Sequence, residues 1–150
     1  MVRIRPASPA DLDSLVALLQ ILFDLEKDFE GDQVRQRRGL ELMLENERGC
    51  VLVAEVEGEV IGMCSGQVTV STAEGGPALL VEDVVVREEW RGKGVGRLLM
   101  ESLGNQARDQ GIERLQLLAD RTNGPALDFY EALGWRATAL VCLRKHLARQ

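Results

Sequence analysis

Apolar residues change their period along this chain, and each change marks a new element. After a short segment "VRIR" (2–5) that reads as a strand, Leu12, Leu15, Leu18, Leu19 and Leu22 recur at helical spacing. Ser8, Pro9 and Asp11 stand just before them in the arrangement of a capped helix start. A second helix is expected over about 33–46, with Val34, Leu40, Met43 and Leu44 turned inward and Gly31-Asp32 separating it from the first. The period then shortens. "CVLVAEVEGEVIGMCSGQVTV" (50–70) is β-branched and partly alternating, and Glu57-Gly58 offers a tight turn between two strands. "STAEGGP" (71–77) reads as a loop and "ALLVEDVVV" (78–86) as a further strand. A helix over 94–110, with Leu98, Leu99 and Leu103 inward, closes on Gly111. "ERLQLLA" (113–119) is a strand and "NGPALDFYEALG" (123–134) a short helix capped by Asn123. "WRATALVCLRKHL" (135–147) reads as a last strand, bent or broken near 137–139.

The order β-α-α-β-β-β-α-β-α-β-β predicts an α/β chain of the α+β type, with helices packed on a mostly antiparallel sheet. At 150 residues a single domain over 1–150 is the economical expectation. The start, "MVRIRPASPADLDSL", lacks the apolar core of a secretory signal, and no apolar run reaches the roughly 20 residues of a membrane span, so a cytoplasmic protein without membrane association is expected. Cys50, Cys64 and Cys142 are isolated and His146 is the single histidine, which predicts neither a disulfide framework nor a metal site. Residues 20–60 hold 11 acids against 5 bases and so carry the whole net charge of −6. That balance disfavours nucleic acid as a partner. It fits either a solvated helix face or a field that draws in a cationic substrate.

Candidate chemistry concentrates in "VEDVVVREEWRGKGVGRLLM" (81–100), where Gly92, Gly94 and Gly96 precede a helix and Arg91, Lys93 and Arg97 surround them. A helix N-terminus leaves N–H groups unpaired and carries partial positive charge, and glycines let those groups converge on one anion. The pattern points to phosphate or pyrophosphate. No GxxxxGK[ST] of a Walker loop is present. A dinucleotide fingerprint places its GxGxxG directly after the strand, whereas here the glycines run GxGxG after five residues, "REEWR"; Asp120, 24 residues past Gly96, keeps that reading open. A loop whose glycines only turn the chain is a further reading of the same residues.

"RGKGVG" (91–96) resembles the Q/R-x-x-G-x-G/A segment of the GCN5-related N-acetyltransferases (GNAT), which binds the pyrophosphate of acetyl-CoA. "NGPALDFYEALGW" (123–135), about 30 residues later, is similar to that family's N-x-x-A-x-x-F-Y-x-x-x-G-[FW] helix. The likeness covers nearly the whole chain. It implies a sheet with helices on both faces and transfer of acetyl from acetyl-CoA to a primary amine in a ternary complex, with no metal. It also implies a role for each motif position. Gly92, Lys93, Gly94, Val95, Gly96 and Arg97 would hold the pyrophosphate by their N–H groups, with Arg91, Lys93 and Arg97 adding charge. The strand before the loop would bulge and splay, so that the backbone of Val84, Val85 and Val86 holds the pantetheine arm, with the Val84 N–H as the donor that polarises the thioester carbonyl. Tyr130 would be the general acid and Asn123 a cofactor contact, although a core aromatic and a plain helix cap are equally served by those residues.

Glu82 and Asp83 are adjacent, so a regular strand turns one of them into an apolar layer. Glu82 resembles the position from which family members deprotonate the amine, and it is the expected base; Asp83, paired with a nearby base or capping the splay, is its neighbour. A Cys-acyl route through Cys64 or Cys142 has no histidine to activate it. The acceptor site is expected from residues 20–35, 71–77 and 136–140. "DLEKDFEGD" (24–32), with Asp24, Glu26, Asp28, Glu30 and Asp32, favours a cationic small-molecule amine, with a basic peptide or protein terminus as the other kind of acceptor. A homodimer through the apolar "ALVCL" near the end is compatible with the sequence, as is burial of that strand. A non-catalytic acyl-CoA-binding module on the same fold shares all these features except turnover.

Overall fold

The structure, a computed structural model, describes residues 1–25 and 32–148. The chain divides into two compact units, Met1–Leu117 and Leu118–Gln150. The first contains β1 (Arg3–Pro6), a 3-10 turn (Pro9–Asp11), α1 (Leu12–Leu25), α2 (Gln33–Glu45), β2 (Gly49–Val56), β3 (Glu59–Ser71), β4 (Gly76–Val86), a second 3-10 turn (Glu88–Trp90), α3 (Val95–Asp109) and β5 (Leu115–Leu117). The strands form one sheet in the order β1-β2-β3-β4-β5, antiparallel except for the parallel pair β4–β5.

Alternation along the strands sends side chains to two faces, and both are covered. Val51, Val53, Met63 and Val85 pack with Leu15, Leu18 and Leu19 of α1 and Leu40 of α2. On the other face Cys64 Sγ lies 3.7 Å from the Leu99 carbonyl of α3, and a Cβ on Gly62 would meet a Leu99 methyl at 3.3 Å. Each such leucine buried is worth roughly 1.5–3 kcal/mol. The inward stripe of α3 is Val95, Leu99, Met100, Leu103 and Ala107. Leu98 lies off it, 40% exposed, because it stands on the far side of Leu99 from Met100, beyond the edge of the stripe. In α2, Leu40 is buried, Met43 and Leu44 pack partly against the core, and Val34, in the first turn, is exposed.

Local chemistry sets the joints. Glu57 and Gly58 both have positive φ, 49° and 82°, the mirror-image turn that matches the twist of the β2–β3 hairpin. Ser8 N–H donates to Asp11 Oδ2 at 2.8 Å, and Arg5 holds both Asp11 oxygens at 2.8 and 2.9 Å and Glu55 at 3.1 Å. One guanidinium thus fastens β1, the start of α1 and β2 together. Asp32 caps α2 by accepting from the N–H groups of Val34 and Arg35. Among the described residues no helix is long and apolar enough to cross a membrane.

The second unit contains α4 (Gly124–Ala132), capped by Asn123, whose Oδ1 accepts from the Ala126 N–H at 3.2 Å. Gly134, at φ 93°, ends it. The strand expected over 135–147 is not formed: residues 136–148 carry no strand. A strand exists only through its ladder, and among the described residues none pairs with this segment. Thr138 Oγ1 instead takes the Leu140 N–H in a local turn at 3.2 Å.

Candidate functional site

The register of β3 on β4 shifts by one residue inside the sequence Val81-Glu82-Asp83-Val84. Gly66 pairs with Val81 and Cys64 with Val84, so Ser65 alone faces both Glu82 and Asp83. The extra residue makes a β-bulge in β4. Ser65, 2% exposed, occupies its floor: its Oγ accepts the Asp83 N–H at 3.1 Å and donates to Asp83 Oδ2 at 3.3 Å. Two residues along β3, Gln67 Nε2 donates to Glu82 Oε1 at 2.7 Å. Ser65 and Gln67 share one face of β3, so the bulge brings both acids toward the same face and resolves the conflict a regular strand would create.

Their environments differ. Glu82 is exposed, whereas Asp83 is half-buried. Burial pushes the Asp83 carboxyl up to about 6, the negative charge of Glu82 adds to the rise, and the Ser65 hydrogen bond opposes it. Among the described residues Asp83 pairs with Ser65 and with no cation. Sequence reasoning singled out neither Ser65 nor Gln67; the available signal was two polar residues inside an otherwise apolar buried run.

Beyond the bulge no strand among the described residues pairs with the outer edge of β4. β5 pairs with Leu79, Leu80 and Val81 only, while Val84, Val85 and Val86 remain paired to Cys64, Met63 and Gly62 of β3. The Arg87 N–H donates to the Ile61 carbonyl at 2.9 Å. In an antiparallel pair the bonding edge alternates, so Val85 shares that edge and Val84 and Val86 turn their peptide groups outward. The Val86 carbonyl accepts from Arg91 Nε at 3.1 Å, which fastens the glycine loop to the end of β4.

Gly92 and Gly94 have φ of 74° and 83°, and a Cβ on either would meet nothing within 4 Å, so backbone conformation rather than space requires glycine there. Gly94 is the N-cap of α3 and supplies no side chain to it. The first helical bond runs from the Leu98 N–H to the Gly94 carbonyl at 3.1 Å, leaving Val95, Gly96 and Arg97 with N–H groups ahead of the ladder. Val95, 1% exposed, anchors this turn in the core. Lys93 Nζ stands 4.9 Å from the centre of the Trp90 ring, and Arg97 pairs loosely with Glu101 at 3.6 Å. An uncapped, glycine-lined helix start beside an open strand edge suits a long donor with an anionic end.

Asn123 and Tyr130 stand in the second unit, on α4. Tyr130 is half-buried, with Phe129 and Trp135 edge-on at 5.1 and 5.9 Å between ring centres. The acid-rich stretch divides. Glu26, Asp28 and Glu30 lie outside the described residues, Asp24 accepts from Gln20 at 2.8 Å, and Asp32 is engaged as the α2 cap. A groove of about 380 Å³ lined by Val16, Gln33, Val34, Arg37, Arg38 and Glu41 borders the expected acceptor region with two arginines and one acid. Burial pushes the Cys64 thiol up, away from a nucleophilic thiolate.

Residues 15–135 match the sequence model of the acetyltransferase (GNAT) family. The thialysine N-epsilon-acetyltransferase of Sus scrofa is 28% identical over 145 residues, which cover 90% of this chain and 84% of that protein. The streptothricin acetyltransferase of Streptomyces lavendulae is 35% identical over 74 residues, 49% of this chain and 39% of that protein. This chain thus spans well under two thirds of some of the curated relatives it matches. A crystal structure described as a transcriptional regulator from Bacillus halodurans C-125 superposes with a TM-score of 0.83 at 28% identity, covering 98% of this chain and 100% of the other.

Proposed function

The chain belongs to the acetyltransferase (GNAT) family, and from that premise we propose that it is an N-acetyltransferase that moves acetyl from acetyl-CoA to a primary amine with both substrates bound together. The observation that carries this reading is the run from β4 into α3. An open strand edge after Val81 leads, within the five residues "REEWR", to an uncapped glycine-rich helix start. Acetyl-CoA, when bound, supplies the thioester carbonyl and a thiolate leaving group.

The chain's own groups meet the other needs. The N–H groups from Gly92 through Arg97 hold the pyrophosphate, with Arg91, Lys93 and Arg97 as charge supplements. The backbone of Val84, Val85 and Val86 orients the pantetheine arm, and the Val84 N–H polarises the carbonyl. The carboxylate pair of the bulge, Glu82 and Asp83, takes a proton from the ammonium form of the acceptor. Tyr130 gives its proton to the departing sulfur, for which a phenol of pKa about 10 opposite a thiol of about 8.5 is a fitting acid. One C–N bond forms and one C–S bond breaks. The Tyr130 phenolate regains the proton that the new amide nitrogen gives up, and one proton leaves to solvent. Asn123 contacts the cofactor as well as capping α4. The acceptor is a small amine carrying a further cationic group, in keeping with the relatives named for streptothricin and thialysine.

Calorimetric titration with CoA, followed by a thiol-release assay with acetyl-CoA and a panel of mono- and dicationic amines, tests this. Binding of CoA and release with at least one amine are expected; absence of CoA binding overturns the reading. A non-catalytic acyl-CoA module is the second reading, favoured by the Bacillus halodurans structure described as a transcriptional regulator. The two part at Tyr130→Phe. An enzyme loses kcat by about 100-fold with CoA affinity kept, whereas a module shows no turnover before or after.

A further inference from the structure

The bulge holds two carboxylates on one face, and its geometry divides their work. We propose that Ser65 is a positioning residue of the proposed acetyl transfer: from the floor of the bulge it fixes Asp83, rather than Glu82, as the carboxylate that takes the ammonium proton. The assignment rests on the acetyl-transfer reading and deepens it.

Ser65 is 2% exposed and meets Asp83 twice, at the N–H (3.1 Å) and at Oδ2 (3.3 Å), so backbone and carboxylate of one residue are held by one hydroxyl. Asp83 Oδ1 has no hydrogen-bond partner among the described residues and remains to receive the proton. Asp83 also directly precedes Val84, whose peptide group faces the open edge, so base and carbonyl-polarising donor are consecutive in the chain. Glu82 is exposed, and its Oε1 accepts from Gln67 Nε2 at 2.7 Å.

Among the described residues, Glu82 is the charged group that acts on Asp83. On β3 its neighbours are the neutral Ser65 and Gln67. α1 brings Leu15, Leu18 and Leu19 to the sheet, while its acids are engaged elsewhere, Asp13 with Arg37 at 2.7 Å and Asp24 with Gln20. α3 covers the opposite face with Arg97, Glu101 and Arg108 exposed, and β5 contributes Leu115, Gln116 and Leu117. Among the described residues nothing cationic offsets the burial of Asp83, which therefore changes charge near pH 6, where a base that must be free at neutral pH belongs. The step is a single proton transfer from the acceptor's ammonium nitrogen to Asp83 Oδ1, which frees the nitrogen lone pair for attack.

The test combines the pH profile of kcat/KM, for acetyl-CoA and the best amine of the panel, with the carboxyl ¹³C titration of Asp83 in the free protein. Expected for Ser65→Ala is an upward move of both the acidic limb and the Asp83 midpoint, because a hydrogen bond that favours the charged form is gone. Ser65→Thr, which keeps the hydroxyl, returns both toward wild type. Ser65→Cys, close to serine in volume and a weaker hydrogen-bond partner, repeats the test without opening a cavity. Asp83→Asn removes the limb and lowers kcat/KM by about 100-fold, and Glu82→Gln moves the limb down without removing it. The assignment is overturned if Ser65→Ala leaves both midpoints in place, or if Glu82→Gln is the change that removes the limb. A wild-type protein that transfers to no amine overturns the acetyl-transfer reading and this assignment with it, a pattern distinct from active protein with an unmoved limb.

Discussion

Asp11, at the start of α1, and Asp83, in the β4 bulge, are both withdrawn from bulk water, and they are treated in contrary ways. Asp11, 7% exposed at the start of α1, is gripped by Arg5 through both oxygens and also receives the Ser8 N–H. The guanidinium holds its carboxyl below the usual carboxylate range despite the burial. Asp83, half-buried in the β4 bulge, has a serine for a partner and an acid for a neighbour, and its carboxyl rises to about 6. A buried acid with a cation is part of the scaffold. One without a cation among the described residues costs stability at neutral pH, and that cost makes it a candidate for function.

Arg5→Met gives the largest expected effect. It keeps much of the side-chain stem and removes the cation, leaving Asp11 buried with Ser8 alone. Urea denaturation at pH 7 should show a loss of about 3 kcal/mol, with acetyl transfer by the folded protein unchanged. Asp11 has a depressed folded-state value, so its contribution is present above its unfolded value of 3.8 and lost as pH falls through the folded one. The difference between wild type and Arg5→Met should therefore shrink below about pH 4. A difference that stays constant down to pH 2 breaks the contrast at this end.

At the other end, the roughly 100-fold loss of kcat/KM in Asp83→Asn should come with a gain in stability at pH 7 of about 2 kcal/mol. The sign follows from the raised folded-state value. Asp83 favours folding below 3.8 and loses that contribution as pH rises through about 6, so the gain of the variant should grow over that window and level off above it. A variant that loses both activity and stability would place Asp83 with Asp11 as a structural acid. The smallest effect belongs to the donor loop. Gly94→Ala forces a Cβ into a φ of 83°, which should cost about 1 kcal/mol of stability and weaken CoA binding in calorimetry.

The sequence was informative wherever structure depends on near neighbours. The Glu57-Gly58 turn, the Ser8–Asp11 helix start, the break at Gly31-Asp32 and the glycine turn before α3 follow from residues within a few positions of one another. What stayed hidden depends on distant pairing. The bulge arises because three residues of β3 face four of β4, a count that no stretch of either strand contains. The only local trace was two adjacent acids in an apolar strand, which announced a conflict and not its resolution. Choosing between Glu82 and Asp83 needed Ser65, 18 positions before the Asp83 it bonds, and Gln67, 15 positions before the Glu82 it bonds, which the hairpin alone brings alongside. The strand expected over 135–147 failed for the same reason: its pattern is suited to a ladder, but the ladder requires a partner.

On the proposed assignment, the bond from Arg91 Nε to the Val86 carbonyl also bears on which thioesters would be accepted. It clasps the two ends of a five-residue span, so the open edge of β4 and the glycine turn stand at a set interval. On the proposed assignment that interval is a gauge. A donor is sorted by reach, since only one long enough to engage both ends gains the effective concentration that the second contact confers. A thioester lacking the phosphate end would meet the same valines and the same aspartate and still turn over poorly.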